Sequence, residues 1–293
     1  MTALPTSRSA RLRAALHDHT IVVPGAFNAL TARAIEQAGF KALYLSGAAL
    51  ANSVLGQPDT GLTTLTEAAE HAARVAAVTS IPIIADADTG FGAPENAARA
   101  IQELEHAGVS GVHLEDQEFP KRCGHLAGKT LVPAPEFCDK LAVASAARRD
   151  PDFLLIARTD ARGVTSYDDA VARAQAYLRA GADAVFPEAL QGEEEFARFA
   201  RDVPAPLLAN MTEFGRTPLI TADRFAELGY RIVIFPVTLQ RIAMKAVVEA
   251  LREFRTSGTQ HAWLDRMQTR LELYELLGYD PPGPAVDASS DFG

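Results

Sequence analysis

Cysteine is nearly absent from this chain, whose 293 residues include only Cys123 and Cys138. Two thiols in a chain of that length make no disulfide framework, and they fit a reducing compartment. No apolar run approaches the length that crosses a bilayer. Met1–Ala10 lacks the apolar segment of a secretory leader, so no leader is expected and the cytoplasm is the expected location. Positive charge is in deficit. Lys and Arg total 28 against 37 Asp and Glu, a formal charge of −9, and no basic run occurs. Such a chain is a poor partner for nucleic acid or an anionic membrane, while a few placed arginines still suit a small anion.

The remaining composition, 48% hydrophobic and 22% charged, is that of an ordinary globular protein. A repeated pattern runs through it. A short apolar, β-branched run ends in polar residues or glycine, and an alanine-rich segment of helical period follows. The runs Ile21–Pro24, Ala42–Ser46, Pro82–Asp88, Gly111–Asp116, Phe153–Asp160, Ala184–Glu188, Pro206–Asn210 and Arg231–Phe235 read as strands. Helices are predicted over Thr2–His19, Ala29–Ala38, Leu65–Val78, Pro94–Ala107, Tyr167–Ala180, Glu193–Arg201 and Thr221–Leu228. Gly39, Gly108, Gly181 and Gly229 fall where helix C-caps belong. Successive βα units imply an α/β fold of the (β/α)8 barrel type. Two further helices are expected after the last strand, Ile242–Arg255 and Ala262–Leu277. Residues 1–279 read as one barrel domain with this helical extension, and 280–293 as a loose tail rich in Pro, Gly, Ser and Asp.

Barrel enzymes carry their chemistry at the C-terminal ends of the strands. Here those ends read Ser46-Gly47-Ala48, Asp86-Ala87-Asp88, Glu115-Asp116, Arg158-Thr159-Asp160, Glu188 and Asn210-Met211-Thr212. Asp86 and Asp88, two apart, are placed to present both carboxylates to one side. Such hard oxygen ligands suit Mg²⁺ or Mn²⁺, although Asp is also common at any strand-to-loop turn. Asp59 and Glu115 are placed to reach such an ion through water. Ser46-Gly47-Ala48 offers backbone N–H groups suited to a carboxylate; otherwise it is a turn. Arg158 suits two-pronged carboxylate binding, with a salt bridge to Asp160 as the competing use. Glu188 needs an arginine or a protonated substrate oxygen beside it. Asn210 and Thr212 add hydrogen-bonding groups.

The most concentrated stretch is Lys121-Arg122-Cys123-Gly124-His125. A lone Cys is by default a small buried hydrophobe, and this run could be a solvated basic loop. Cationic neighbours, however, favour a thiolate or a readily donated proton, and Gly124 allows a backbone to approach a ligand. Taken together, the clusters suit a substrate with several carboxylates held on a divalent ion, and C–C bond cleavage or formation next to a carboxylate.

The strings Lys121–His125, Asp86–Gly92, Glu115–Gln117, Ala157–Ala161, Phe186–Ala189 and Asn210–Gly215 resemble those of the isocitrate lyase/phosphoenolpyruvate mutase superfamily, and within it the 2-methylisocitrate lyase family. Met267–Arg270 followed by Glu272–Glu275 extends the likeness, which runs from about Val23 to Tyr279. The resemblance implies Mg²⁺-dependent cleavage of 2-methylisocitrate to pyruvate and succinate, in propionate catabolism by the methylcitrate cycle. It implies that Asp86 and Asp88 hold the ion. It implies that Ser46, Gly47, Ala48, Cys123, Gly124, Arg158, Glu188, Asn210, Met211, Thr212, Arg241 and Arg270 contact substrate. The family often has Gly where this chain has Ala48, which leaves the backbone donors in place. Cys123 would protonate carbon, tuned by Lys121 and His125, with Arg158 and Glu115 also in the catalytic group. A homotetramer of dimers, with the final barrel helix exchanged between subunits, is implied as well, so that Arg270 serves its own or a neighbouring site. Isocitrate, 2,3-dimethylmalate and oxaloacetate are the rival substrates. The pocket wall that would discriminate among them is expected at Phe186 and Phe235-Pro236-Val237. A catalytically silent metabolite-binding barrel is the rival of another class.

Overall fold

The computed structural model describes residues 7–122, 124, 128–215 and 217–281. Its strands are β1 (Ile21–Pro24), β2 (Leu43–Leu45), β3 (Ile83–Asp86), β4 (Gly111–Glu115), β5 (Leu154–Thr159), β6 (Ala184–Pro187), β7 (Leu208–Asn210) and β8 (Ile232–Phe235). The helices are α1 (Arg8–Asp18), α2 (Ala29–Gln37), α3 (Gly47–Leu50), α4 (Leu65–Ala76), α5 (Pro94–His106), α6 (Ala134–Ala146), α7 (Ala161–Val164), α8 (Tyr167–Arg179), α9 (Glu193–Asp202), α10 (Ala222–Glu227), α11 (Thr238–Ser257) and α12 (Arg270–Leu277). All strand pairs are parallel: β2 to β6 are neighbours in sequence order, and β7 pairs with β8, which pairs with β1. Single bridges, Gly25 to Tyr44 and Val185 to Leu207, join the two ladders and close the ring. The (β/α)8 barrel read from the sequence is the fold.

Strand alternation sorts the side chains. Leu43, Ile83, Val112, Leu155, Val185 and Val233 face outward and pack under the helices. Tyr44, Ile84, Ile156, Phe186, Leu208 and Ile234 face inward. Leu12 and Leu16 of α1 join this inner cluster and plug the floor of the barrel. Arg8 of α1 fastens the plug through the carbonyls of Ala76, at 3.0 Å, and Thr79. Gly39, Gly108, Gly181 and Gly229 all take positive φ after their helices, as C-cap chemistry requires.

Three sequence readings change. Helix α6 was not among those read, because its apolar residues follow a Pro-rich start. The helix expected over Ala262–Leu277 is a 3₁₀ turn, His261–Arg266, followed by α12. The break falls where Thr269 caps Glu272 N–H at 3.2 Å and the Glu272 carboxylate accepts from Thr269 N–H at 2.6 Å. This reciprocal cap starts a new helix. The helix after β8 is also longer than Ile242–Arg255, running Thr238–Ser257.

Candidate active site

The inward face of each strand continues two residues at a time to the mouth. Beyond Ile84 comes Asp86, beyond His113 Glu115, beyond Ile156 Arg158, beyond Phe186 Glu188, and beyond Leu208 Asn210. Asp86, Arg158, Glu188 and Asn210 meet at a cavity of about 1130 Å³, which Ser46, Ala48, Gly124 and Thr212 also line; Glu115 pairs with Arg158 and is not among the lining residues. The opposite parity leaves the site. Asp116 was expected at the mouth but accepts hydrogen bonds from Thr159 Oγ1 at 2.8 Å and Tyr177 Oη at 2.8 Å, behind the barrel wall. Met211 turns away too. It is buried in the outer cluster, where its Sδ accepts from Ile220 N–H at 3.4 Å. Phe235 packs against that same outer cluster, so Ile234, Pro236 and Val237 form the pocket wall beside Phe186.

Around Asp86 the chain is tight. Gly47 N–H donates to Asp86 Oδ2 at 3.2 Å, so one expected carboxylate donor is already engaged. A methyl on Gly47 would stand 3.0 Å from that oxygen. Ser46 caps α3, its Oγ accepting from Ala49 N–H at 3.3 Å. Asp88 N–H donates to Asp86 Oδ1 at 3.0 Å, and Asp88 takes a left-handed φ of 46°. Burial alone would raise the Asp86 carboxyl, but neighbouring cations hold it below its ordinary value. His113 is neutral at pH 7, its pKa pushed down to about 4 by burial. Lys121 and Arg158 therefore keep Asp86 ionised there. Asp88 is pushed up to about 6 by burial, with Lys121 pulling against the push and Asp86 adding to it. Lys121, itself buried, reaches Asp59 and lies 2.8 Å from Asp88 Oδ1.

The competing salt bridge of Arg158 to Asp160 is present, and the residue also faces the cavity. It is fixed by Asp160 Oδ2 at 2.9 Å, Glu115 Oε2 at 3.1 Å and Glu188 Oε2 at 3.9 Å. Its guanidinium also sits 5.1 Å above the Phe186 ring. Burial raises Glu115 well above the carboxylate range despite Arg158. Glu188 has its arginine, and Asn210 Nδ2 donates to it at 3.3 Å. Gly124 lies against this pair so closely that a methyl would meet Arg158 Nη2 at 2.4 Å and Glu188 Cγ at 2.6 Å. Arg241 lines the outer mouth and donates to the Glu213 carbonyl at 3.1 Å. Arg270 is exposed at the start of α12 and is not among the lining residues. Cys123 and His125 lie outside the described residues.

The sequence reading missed Tyr44, whose hydroxyl lies 2.7 Å from His113 Nε2 on the cavity floor. The signal was available: Tyr44 stands two residues before Ser46, and His113 two before Glu115. Among the described residues, no group of three or more His, Cys, Asp or Glu side chains is placed to hold a metal ion. The donor set nevertheless fits a hard divalent cation. Asp86 and Asp88 supply two carboxylates, and of the neighbouring buried carboxylate oxygens Glu115 Oε1 makes no hydrogen bond. Mg²⁺ commonly takes one or two carboxylates and fills its sphere with water and substrate oxygens.

A closed parallel barrel with these groups at its C-terminal mouth is an enzyme scaffold. Residues 12–255 match the phosphoenolpyruvate phosphomutase family. The chain belongs to that family, within the isocitrate lyase/phosphoenolpyruvate mutase superfamily. It is 56% identical to the probable 2-methylisocitrate lyase 1 of Corynebacterium glutamicum, over 89% of this chain and 86% of that one. It is 53% identical to the 2-methylisocitrate lyase of Aeropyrum pernix, over 88% of this chain and 83% of that one. The crystal structure of 2,3-dimethylmalate lyase, a member of the same superfamily, matches it with a TM-score of 0.88 at 39% identity, covering 94% of this chain and 92% of that one.

Proposed function

We propose that the chain is a Mg²⁺-dependent carbon–carbon lyase that splits 2-methylisocitrate into pyruvate and succinate, in propionate catabolism by the methylcitrate cycle. The observation that carries this reading is the inward layer Asp86, Arg158, Glu188 and Asn210, brought to one cavity by β3, β5, β6 and β7, with Glu115 of β4 paired to Arg158. The relatives' names agree with it.

When bound between Asp86 and Asp88, Mg²⁺ would act as a Lewis acid toward the substrate's C2 hydroxyl. A general base takes the hydroxyl proton, C2 becomes the carbonyl of pyruvate, and the C2–C3 electron pair passes to the succinate half. That half leaves as an aci-carboxylate, and Arg158, Asn210 and Thr212 face its developing charge. Because Asp160 and Glu115 fix Arg158 in advance, little reorganisation is needed when that charge appears. Cys123, by family resemblance, returns a proton to C3. Lys121, held by Asp59 and Asp88, fixes one end of the segment that carries the thiol. Phe186, Ile234 and Val237 supply the apolar wall for the C2 methyl.

No helix among the described residues is long and apolar enough to cross a membrane, and Cys138 is a free thiol. Both fit action in the cytoplasm. The working assembly in this proposal is a homotetramer of dimers in which the final barrel helix, α11, is exchanged between subunits.

The test is product release by purified protein with Mg²⁺ on 2-methylisocitrate, isocitrate and 2,3-dimethylmalate. Pyruvate and succinate should form fastest from the first. Comparable or faster cleavage of either rival moves the substrate assignment and leaves the site in place. Cys123→Ser should abolish turnover with fold and Mg²⁺ binding retained; a fully active variant removes the thiol from the mechanism.

A further inference from the structure

We propose that Lys129, which the reaction as derived above does not use, is a positioning residue that seats Gly124 against Arg158 and so sets the geometry of the cleavage site. The segment between β4 and α6 is tied at its base. Gln117 bridges to Leu131, Glu118 N–H donates to the Thr130 carbonyl at 2.9 Å, and Val132 N–H to the Asp116 carbonyl at 3.0 Å. Inside it, the Gln117 amide clamps Arg122 from both sides, donating to its carbonyl at 2.8 Å and accepting from its N–H at 3.0 Å. Lys121 is drawn to Asp59 and Asp88.

Lys129 completes this set from the far end. Its side chain is 1% exposed, an expensive place for an ammonium unless it is fully paired. Its partners are the Gly124 carbonyl and Asp160 Oδ1, the latter at 2.6 Å. Asp160 is itself fixed, its N–H donating to Asp116 Oδ1 at 2.9 Å. The same Asp160 carboxylate binds Arg158 twice, from Nε at 2.9 Å and Nη2 at 3.2 Å. Lys129 and Arg158 therefore share one carboxylate, while Gly124 fills the space directly against Arg158 Nη2 and Glu188 Cγ. Both contacts of the Lys129 ammonium end on parts of the site. Without it, the Gly124 carbonyl loses this donor and, among the described residues, the Asp160 carboxylate keeps Arg158 as its one cationic partner, so Gly124 and the guanidinium are no longer held in one fixed relation.

The kinetic arm of the test rests on the lyase reading; the proteolytic arm does not. Lys129→Met keeps the stem and removes the donors, and Lys129→Gln keeps one amide donor on a shorter stem. Pyruvate release from 2-methylisocitrate with Mg²⁺ is measured in both variants. Tryptic cleavage after Arg122 is followed without substrate by mass spectrometry. In Lys129→Met, kcat should fall about 100-fold, the scale of a small misplacement of reacting groups. KM should stay within about fivefold, and cleavage after Arg122 should be about tenfold faster. Lys129→Gln should fall between the wild type and Lys129→Met. A kcat within about threefold of wild type in Lys129→Met overturns the inference, as does a loss carried by KM alone. If Lys129→Met does not fold, Lys129→Gln decides by the same thresholds. An inactive wild type sinks the lyase reading instead, and unchanged cleavage after Arg122 in the variants then overturns the role of Lys129.

Discussion

Gly124 shows how little room a single residue leaves at this site. Its missing methyl would overlap Arg158 Nη2, held by buried Asp160, and Glu188 Cγ, whose carboxylate accepts from Asn210. Gly124→Ala should therefore lower kcat/KM about 100-fold or more in the pyruvate assay, with an unchanged melting temperature. Asp88 carries a pH signature. Its folded pKa of about 6 lies above the ordinary 3.8, so the folded protein holds a proton between those values that the unfolded chain has lost. Stability from this group is present below 3.8 and is lost as pH rises to about 6. His113 acts in the opposite sense. Lowered from 6.5 to about 4, it contributes stability above 6.5 that is lost as pH falls to about 4. The Mg²⁺-induced rise in melting temperature isolates Asp88 from this background. It should be large at pH 7.5, where Asp88 is ionised and costly without a cation, and small at pH 5. Asp88→Asn should abolish it; an equal rise at both pH values, or in the variant, would remove Asp88 from the cation site. Neither Gly124's crowding nor the shift at Asp88 was legible in the sequence, since both come from residues far away in the chain.

At the scale of elements, the strands were read to within two residues at each end because their β-branched runs are buried on both faces. Parity was harder to read. Side chains alternate with a period of two, so choosing the wrong inward residue reverses every assignment on that strand. Asp86, Arg158 and Glu188 were assigned to the mouth and line the cavity, Glu115 shares their parity and pairs with Arg158, and Asp116, Met211 and Phe235 have the other parity. Helix α1 is the element whose stability role is clearest. Leu12 is fully buried in the inner cluster, beneath the catalytic layer. Leu12→Ala should cost about 2–5 kcal/mol in urea unfolding. KM should not change, because Leu12 is not among the residues lining the cavity.

At the scale of the whole molecule, α11 stands apart from the other long helices. Gln240 is its only buried residue, and Ile242, Met244, Val247 and Leu251 are 61%, 52%, 45% and 58% exposed. A run of large apolar groups on one helix marks an interaction surface. In the assembly proposed above, a second copy covers it. Leu251→Asp should reduce the mass measured by light scattering from tetramer to smaller species. An unchanged mass would locate the subunit contact elsewhere. Arg270 follows this helix and lies outside its own chain's cavity, so the same variant should lower activity if that arginine serves a neighbour.

By itself, the sequence determined the succession of βα units, the inward carboxylates of β3 and β4, and the family. These follow from local periodicity and from motifs contiguous in the chain. Tertiary structure alone decided that Lys121 lies on Asp59 and Asp88, that Lys129 and Arg158 share Asp160, and that Tyr44 meets His113. Except for Arg158 and Asp160, which stand two positions apart, these contacts join residues 31 to 69 positions apart. No local pattern specifies such distances. They exist because closing the barrel brings the ends of distant strands to one rim, where buried charges persist only when other charges or donors meet them.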